Sequence, residues 1–176
     1  MTELFDNKYR VPSVRLQSWN YANEGFYFVT ICTKDRTCYF GDVIGSKFIP
    51  NGMGKIAFEE WHKTIELRPD MNIELAEFVV MPNHIHGILI IGRNEFNQSY
   101  NFSFKSQFKS PAKDLASIIR GYKTAVTTYA RKNNIKFDWQ ERFYEHIIRS
   151  EEDYQKIANY IINNPAKWEE DLLYSI

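Results

Sequence analysis

Phe78-Val79-Val80-Met81-Pro82-Asn83-His84-Ile85-His86-Gly87-Ile88-Leu89-Ile90-Ile91 reads as the end of one strand, a Pro-Asn turn and a second strand opening on two histidines. Side chains two apart on a strand share a face, so His84 and His86 present two imidazoles to one point while Ile85 looks the other way with Gly87, Leu89 and Ile91. Two neutral imidazoles converging from one rigid strand are half of a site for a divalent cation. The pair is also compatible with plain hydrogen bonding at the mouth of a sheet, because two ligands do not complete a coordination sphere.

Upstream, Gly25 opens the run Phe26-Tyr27-Phe28-Val29-Thr30-Ile31-Cys32-Thr33, β-branched and aromatic on both faces, as in a central strand covered on both sides. Asp35-Arg36 turns the chain, and Val43-Ile44 with Phe48-Ile49 predicts a small hairpin around a Gly-Ser turn. Asn51 is an N-cap for a helix to about Leu67, with Phe58, Trp61 and Ile65 on its apolar stripe. Arg68-Pro69-Asp70 ends it, and Ile73 to Met81 leads back into the opening stretch.

Downstream, residues 92–110 form a polar insertion without a sustained period. Ser110-Pro111 predicts a helix start, and Leu115, Ile118, Ile119, Tyr122, Val126 and Tyr129 make the stripe of a helix to about Asn133. A short strand is expected from Phe143 to Arg149. Ser150-Glu151-Glu152-Asp153 then caps a last helix in which Tyr160 and Asn164, four apart, share a face. Pro165 stops this helix and disfavours the helical conformation for Asn164. The order strand, hairpin, helix, strand pair, helix, strand, helix reads as α+β, an antiparallel sheet with helices packed on it.

Composition bounds the rest. With 176 residues, 44% hydrophobic and 16% aromatic, the chain has the makings of a single globular domain, residues 1–176, with residues 1–20 as an arm lying on it. Lys+Arg and Asp+Glu are both 22, so net charge gives no hint of a polyanionic partner. Locally, Lys105, Lys109, Lys113, Arg120 and Lys123 lie near Phe102, Phe104 and Phe108. Cations interleaved with aromatics suit a single-stranded nucleic acid; a solvated helix face is the competing reading. Cys32 and Cys38 form no CxxC pair, no apolar run has membrane-spanning length and no signal sequence opens the chain, so a cytoplasmic protein without a membrane partner is expected.

Four segments, in order, resemble the REP-associated tyrosine transposases, within the single-strand insertion-sequence transposases: Gly25 to Thr33, Val80-Met81-Pro82-Asn83-His84-Ile85-His86-Gly87, Trp139 to Arg149, and Tyr160-Ile161-Ile162-Asn163-Asn164-Pro165. The second and fourth together are highly specific, whereas residues 92–110 match nothing in the pattern. The resemblance implies a ferredoxin-like fold of the HUH-nuclease type. It also implies a single-strand DNA endonuclease and strand transferase acting on hairpin-forming repeats through a 5′-phosphotyrosine intermediate. On the matching positions, Tyr160 is the nucleophile, and His84, His86 and Asn164 hold a divalent cation, Mg2+ or Mn2+. Two imidazoles and an amide suit Mn2+ at least as well as Mg2+. The expected partner is single-stranded or hairpin DNA, bound by a monomer or a homodimer. Taken by pattern alone, Tyr160 also reads as a core tyrosine with its hydroxyl at the surface, and Tyr122 and Tyr144 are rival nucleophiles. A non-catalytic single-strand-binding module would use the same aromatics and cations but form no covalent adduct.

Overall fold

The computed structural model describes residues 19–97 and 113–174. Nearly all of the expected arm, Lys105 and Lys109, Phe102, Phe104 and Phe108, and the Ser110-Pro111 start signal lie outside the described residues.

The strands are β1 (Gly25–Cys32), β2 (Gly41–Ile44), β3 (Lys47–Pro50), β4 (Ile73–Val80), β5 (His84–Ile91) and β6 (Tyr144–Ile148). The helices are α1 (Gly52–Glu66), α2 (Leu115–Lys132) and α3 (Glu151–Asn163). Four strands form one antiparallel sheet in the order β4-β5-β1-β6, and β2-β3 is a separate hairpin inserted ahead of α1. Without that hairpin the chain reads β-α-β-β-α-β, a ferredoxin-like α+β fold. The hairpin turn uses Gly45 at φ 55° and Ser46 at φ 62°, two left-handed residues in a row, as a two-residue turn between twisted strands requires.

The two faces of the sheet are packed differently. One carries Tyr27, Val29, Ile31, Ile85, Leu89 and Ile91 and is covered by α1 and α2 through Ala57, Trp61, Ile118, Ile119, Tyr122 and Val126. The other carries Phe28, Ile88 and Ile148 under Ala158 and Ile161 of α3. Gly87 belongs to the first face: the Trp61 ring lies so close that an added methyl carbon would stand 2.6 Å from it. That indole is in turn stacked on Phe78, with centroids 4.8 Å apart and planes at 6°.

Three local expectations are corrected. The buried stripe of α1 is Met53, Ala57, Trp61 and Thr64, whereas Phe58 and Ile65 are 53% and 42% exposed. Gly54 lets the start of the helix approach Phe40, whose carbonyl oxygen would clash with an added methyl carbon, and Phe58 is left to lie on His62 at the rim. Helix α2 starts at Leu115 because Asp114 and Ser117 form a reciprocal capping box, Asp114 accepting from Ser117 N (2.8 Å) and Ser117 Oγ accepting from Asp114 N (3.1 Å). Asn164 is helical at φ −56° and ψ −44°, because the chain passes through it into a 3-10 turn, Pro165–Glu170, with proline at the tolerated first position.

Candidate active site

The opening stretch folds as expected, with β4 and β5 joined by the Pro-Asn turn and His84 and His86 side by side on the α3 face. Both imidazoles are buried, at 0% and 2% exposure, with ring centroids 4.5 Å apart. Tyr160 and Asn164 reach them from α3 and its C-cap. The Tyr160 hydroxyl lies 3.1 Å from His86 Nε2, and the tyrosine itself is 44% exposed, so it joins the buried histidines to solvent. A cleft of about 480 Å³, lined by Lys156, Asn159, Asn163, Lys167 and Asp171 among others, opens there.

Three further residues, none legible by period, complete the arrangement. Asn83 donates from Nδ2 to the carbonyls of Leu173 (2.8 Å) and Arg36 (3.1 Å), which turns its Oδ1 towards His84. That oxygen can only accept, so His84 carries its proton on Nδ1 and donates it there at 2.8 Å. Thr30 Oγ1 stands 2.8 Å from His86 Nδ1 and clamps the second ring from β1. Asp171, just beyond the 3-10 turn, accepts on Oδ2 from Asn164 Nδ2 (2.8 Å) and the Tyr160 hydroxyl (3.3 Å), and on Oδ1 from Leu173 N (2.7 Å).

Electrostatics follow from this burial. Desolvation pulls the His84 pKa down to about 4 against the opposing pull of Asp171 and Asn164, and drives His86 well below its ordinary value, so both rings are neutral at pH 7. Burial and the Asp171 carboxylate push Tyr160 up to about 12, so it is a phenol in this state.

The donor set fits a divalent cation. His84 Nε2 and Asn164 Oδ1 are both buried and make no hydrogen bond, an arrangement costly for two acceptors unless something positive lies between them. One ligand atom each from His84, His86 and Asp171 lie within 4.8 Å of one another. Two imidazole nitrogens with an amide and a carboxylate oxygen suit Mn2+, and the carboxylate adds the hard charge that Mg2+ prefers. The Asn83–His84 bond is the outer-shell contact such a ligand needs to fix its tautomer.

The rival tyrosines separate cleanly. Tyr122 is buried with its hydroxyl donating to the Ala57 carbonyl at 2.9 Å, and belongs to the core. Tyr144 stands on β6, 52% exposed, its ring edge-on to Phe28. His146 bonds Asp153 Oδ2 at 2.8 Å, tying β6 to the start of α3, and His62 is at the surface.

Of the expected DNA-binding cations, Lys113 is paired with Asp70 and lies over Phe96. Lys123 is half-buried, and its Nζ donates to the Gln140 and Glu141 carbonyls above the Trp139 ring. Arg120 is exposed and lines a groove of about 690 Å³ between α2 and the 141–145 segment, together with Lys123, Arg131, Arg142, Thr127 and Thr128.

The strand order and the histidine pair on a central strand define a class, the HUH-type α+β fold. No family model matches the chain. An uncharacterized protein of Haemophilus influenzae (strain ATCC 51907 / DSM 11121 / KW20 / Rd) is 42% identical over 168 residues, 92% of either chain. A provisionally named REP-associated tyrosine transposase of the same strain is 30% identical over 151 residues, 84% of this chain and 74% of the relative. Among solved structures, a REP-associated tyrosine transposase bound to a REP hairpin matches with a TM-score of 0.54 at 23% identity, over 87% of this chain and 73% of that one, which shows the shared fold. This chain belongs to the REP-associated tyrosine transposases, a family of transposase enzymes.

Proposed function

We propose that the protein is a metal-dependent endonuclease and strand transferase for single-stranded DNA that folds into hairpin repeats, acting through a covalent 5′-phosphotyrosine. One observation carries the reading: a half-exposed tyrosine hydroxyl stands 3.1 Å from an imidazole of a buried, neutral histidine pair that forms a metal-competent cluster with the Asp171 carboxylate. A core tyrosine has no reason to place its oxygen there. The hairpin held by the solved relative supports a hairpin substrate here.

A cation held by His84, His86, Asn164 and Asp171 would supply charge neutralisation at the scissile phosphate. The chain's own residues do the rest. Tyr160 Oη attacks phosphorus, forming an O–P bond while the bond to the 3′ oxygen breaks, which leaves a free 3′-OH and conserves the phosphodiester for rejoining. The phenol proton leaves along the hydrogen bond to Asp171 Oδ2, and the departing 3′ oxygen takes up a proton. Thr30 and Asn83 hold the two rings in the orientation that keeps their outer nitrogens free to hold the cation. Backbone phosphates of the substrate run in the groove with Arg120, Arg131 and Arg142, since Lys113 and Lys123 are already engaged within the protein.

The test is to incubate wild type, Tyr160→Phe and Tyr144→Phe with a labelled hairpin and Mn2+, followed by a denaturing gel. Wild type and Tyr144→Phe form an adduct; Tyr160→Phe forms none while still binding the hairpin. An adduct from Tyr160→Phe moves the chemistry to another residue.

A further inference from the structure

We infer that Tyr144 is a stacking platform for a base next to the scissile phosphate, and that the single strand leaves the site across β6 towards the α2 groove. The inference rests on the single-strand reading above and names the path the substrate takes.

The strand register carries it. Thr30 of β1 is paired with His86 on one side and with Tyr144 on the other, so the three stand in one row across β5, β1 and β6. Thr30 Oγ1 bonds His86, which places the row on the α3 face of the sheet. Neighbouring strands are about 4.8 Å apart, so Tyr144 stands about 10 Å from His86 along the row, within reach of a base whose backbone phosphate is held at the histidines.

The ring is presented and supported. Helix α3 packs on Phe28, Ile88 and Ile148 of this face, yet Tyr144 remains 52% exposed beside that contact. Phe28 buttresses it edge-on, with centroids 6.2 Å apart and planes at 69°. The same Phe28 is stacked on His86 at 5.4 Å and edge-on to Tyr160 at 6.3 Å. One buried ring therefore fixes the platform, a metal-binding imidazole and the nucleophile relative to one another. An exposed ring held from one side offers its free face to any base, without hydrogen-bond readout.

The exit is marked by charge. Alternation along β6 sends Phe143 and Glu145 to the opposite face, where they line the groove with Arg120, Arg131 and Arg142. A strand crossing the β6 edge after stacking on Tyr144 enters that groove, where three arginines and Lys123 outnumber the carboxylates of Glu141 and Glu145.

The experiment uses the full chain in EDTA, with equilibrium binding read by fluorescence anisotropy. One probe is a bare hairpin; the others are the same hairpin with a single-stranded extension on its 5′ or 3′ side carrying 2-aminopurine. Tyr144→Phe keeps the ring and binds as wild type. Tyr144→Ala and Tyr144→Leu, checked as folded by circular dichroism, bind one extended probe roughly 5- to 150-fold more weakly, the loss of one stacked base. They bind the bare hairpin unchanged and no longer quench 2-aminopurine. Wild-type affinity of both variants for the extended probes, or equal weakening on bare and extended hairpins, overturns the inference. A wild-type protein that binds the extended probe in EDTA but forms no covalent adduct with it once Mn2+ replaces the EDTA sinks the nuclease reading and leaves the stacking result standing; one that binds no probe overturns both.

Discussion

Replacing Asn83 by alanine tests how the site is held together. Three hydrogen bonds of its buried amide are at stake: to the carbonyls of Leu173 and Arg36 at 2.8 and 3.1 Å, and from His84 Nδ1 at 2.8 Å. At about 1 kcal/mol net for each, the loss is about 3 kcal/mol, and the stranded imidazole N–H makes that a lower figure. For a chain of this size 1 kcal/mol moves the melting temperature by about 2–4 °C, so Asn83→Ala should melt about 6–12 °C below wild type. It should also bind Mn2+ about 10- to 100-fold more weakly, because the tautomer of His84 is no longer fixed. Asn83→Asp separates the effects: it keeps the acceptor for His84 but turns oxygen towards two carbonyl oxygens, so it should melt low while retaining most of the metal affinity. Calorimetric titration with Mn2+ and differential scanning calorimetry read both quantities. Wild-type Mn2+ affinity in Asn83→Ala, with a melting point shifted by less than about 2 °C, would refute the assignment of this residue as the anchor of the site.

Three other outcomes are expected. Gly87→Ala forces a methyl carbon to within 2.6 Å of the Trp61 ring and should destabilise by about 1–3 kcal/mol, read as a lower urea midpoint with an unchanged slope. His84 is depressed from 6.5 to about 4 and His86 is depressed too, so the unfolded chain binds more protons in this window. Stability in metal-free buffer is then fully present above pH 6.5 and falls as pH drops towards 4, by up to about 1.4 kcal/mol per pH unit for each histidine; a flat profile of urea midpoints over that range contradicts the burial argument. Replacing Arg120, Arg131 and Arg142 by Gln should flatten the salt dependence of hairpin binding by about 0.7 to 0.9 for each phosphate that is no longer neutralised, whereas an unchanged slope places the DNA elsewhere.

What the sequence discloses about this site is what period and local chemistry can carry. His84 and His86 share a face because strands alternate, and Tyr160 and Asn164 because helices turn every 3.6 residues; both pairs sit where the alternation predicts. Asp171 escapes that logic. It follows the helix in an aperiodic segment, and reaches the site because Arg36 holds the Leu172 carbonyl and Asn83 the Leu173 carbonyl, contacts between residues far apart in the chain. The α1 stripe differs from its expected position by one residue for a related reason: Phe58 and Ala57 both fit a helical period, and only the neighbouring layer decides which one is buried. Charge counting likewise treats Lys113 and Lys123 as free cations, although tertiary contacts have already engaged them.

The segment that brings in Asp171 also decides when the cluster is complete. Residues 30, 83, 84, 86, 160, 164 and 171 must all be docked before the cluster is closed, and they come from both ends of the described chain. A half-folded intermediate with its sheet formed but its last segment loose has the histidines without the carboxylate and without the Asn83–Leu173 tie. On the proposed function, competence to cut DNA requires all of these contacts at once, so a molecule with this last segment undocked lacks the complete cluster.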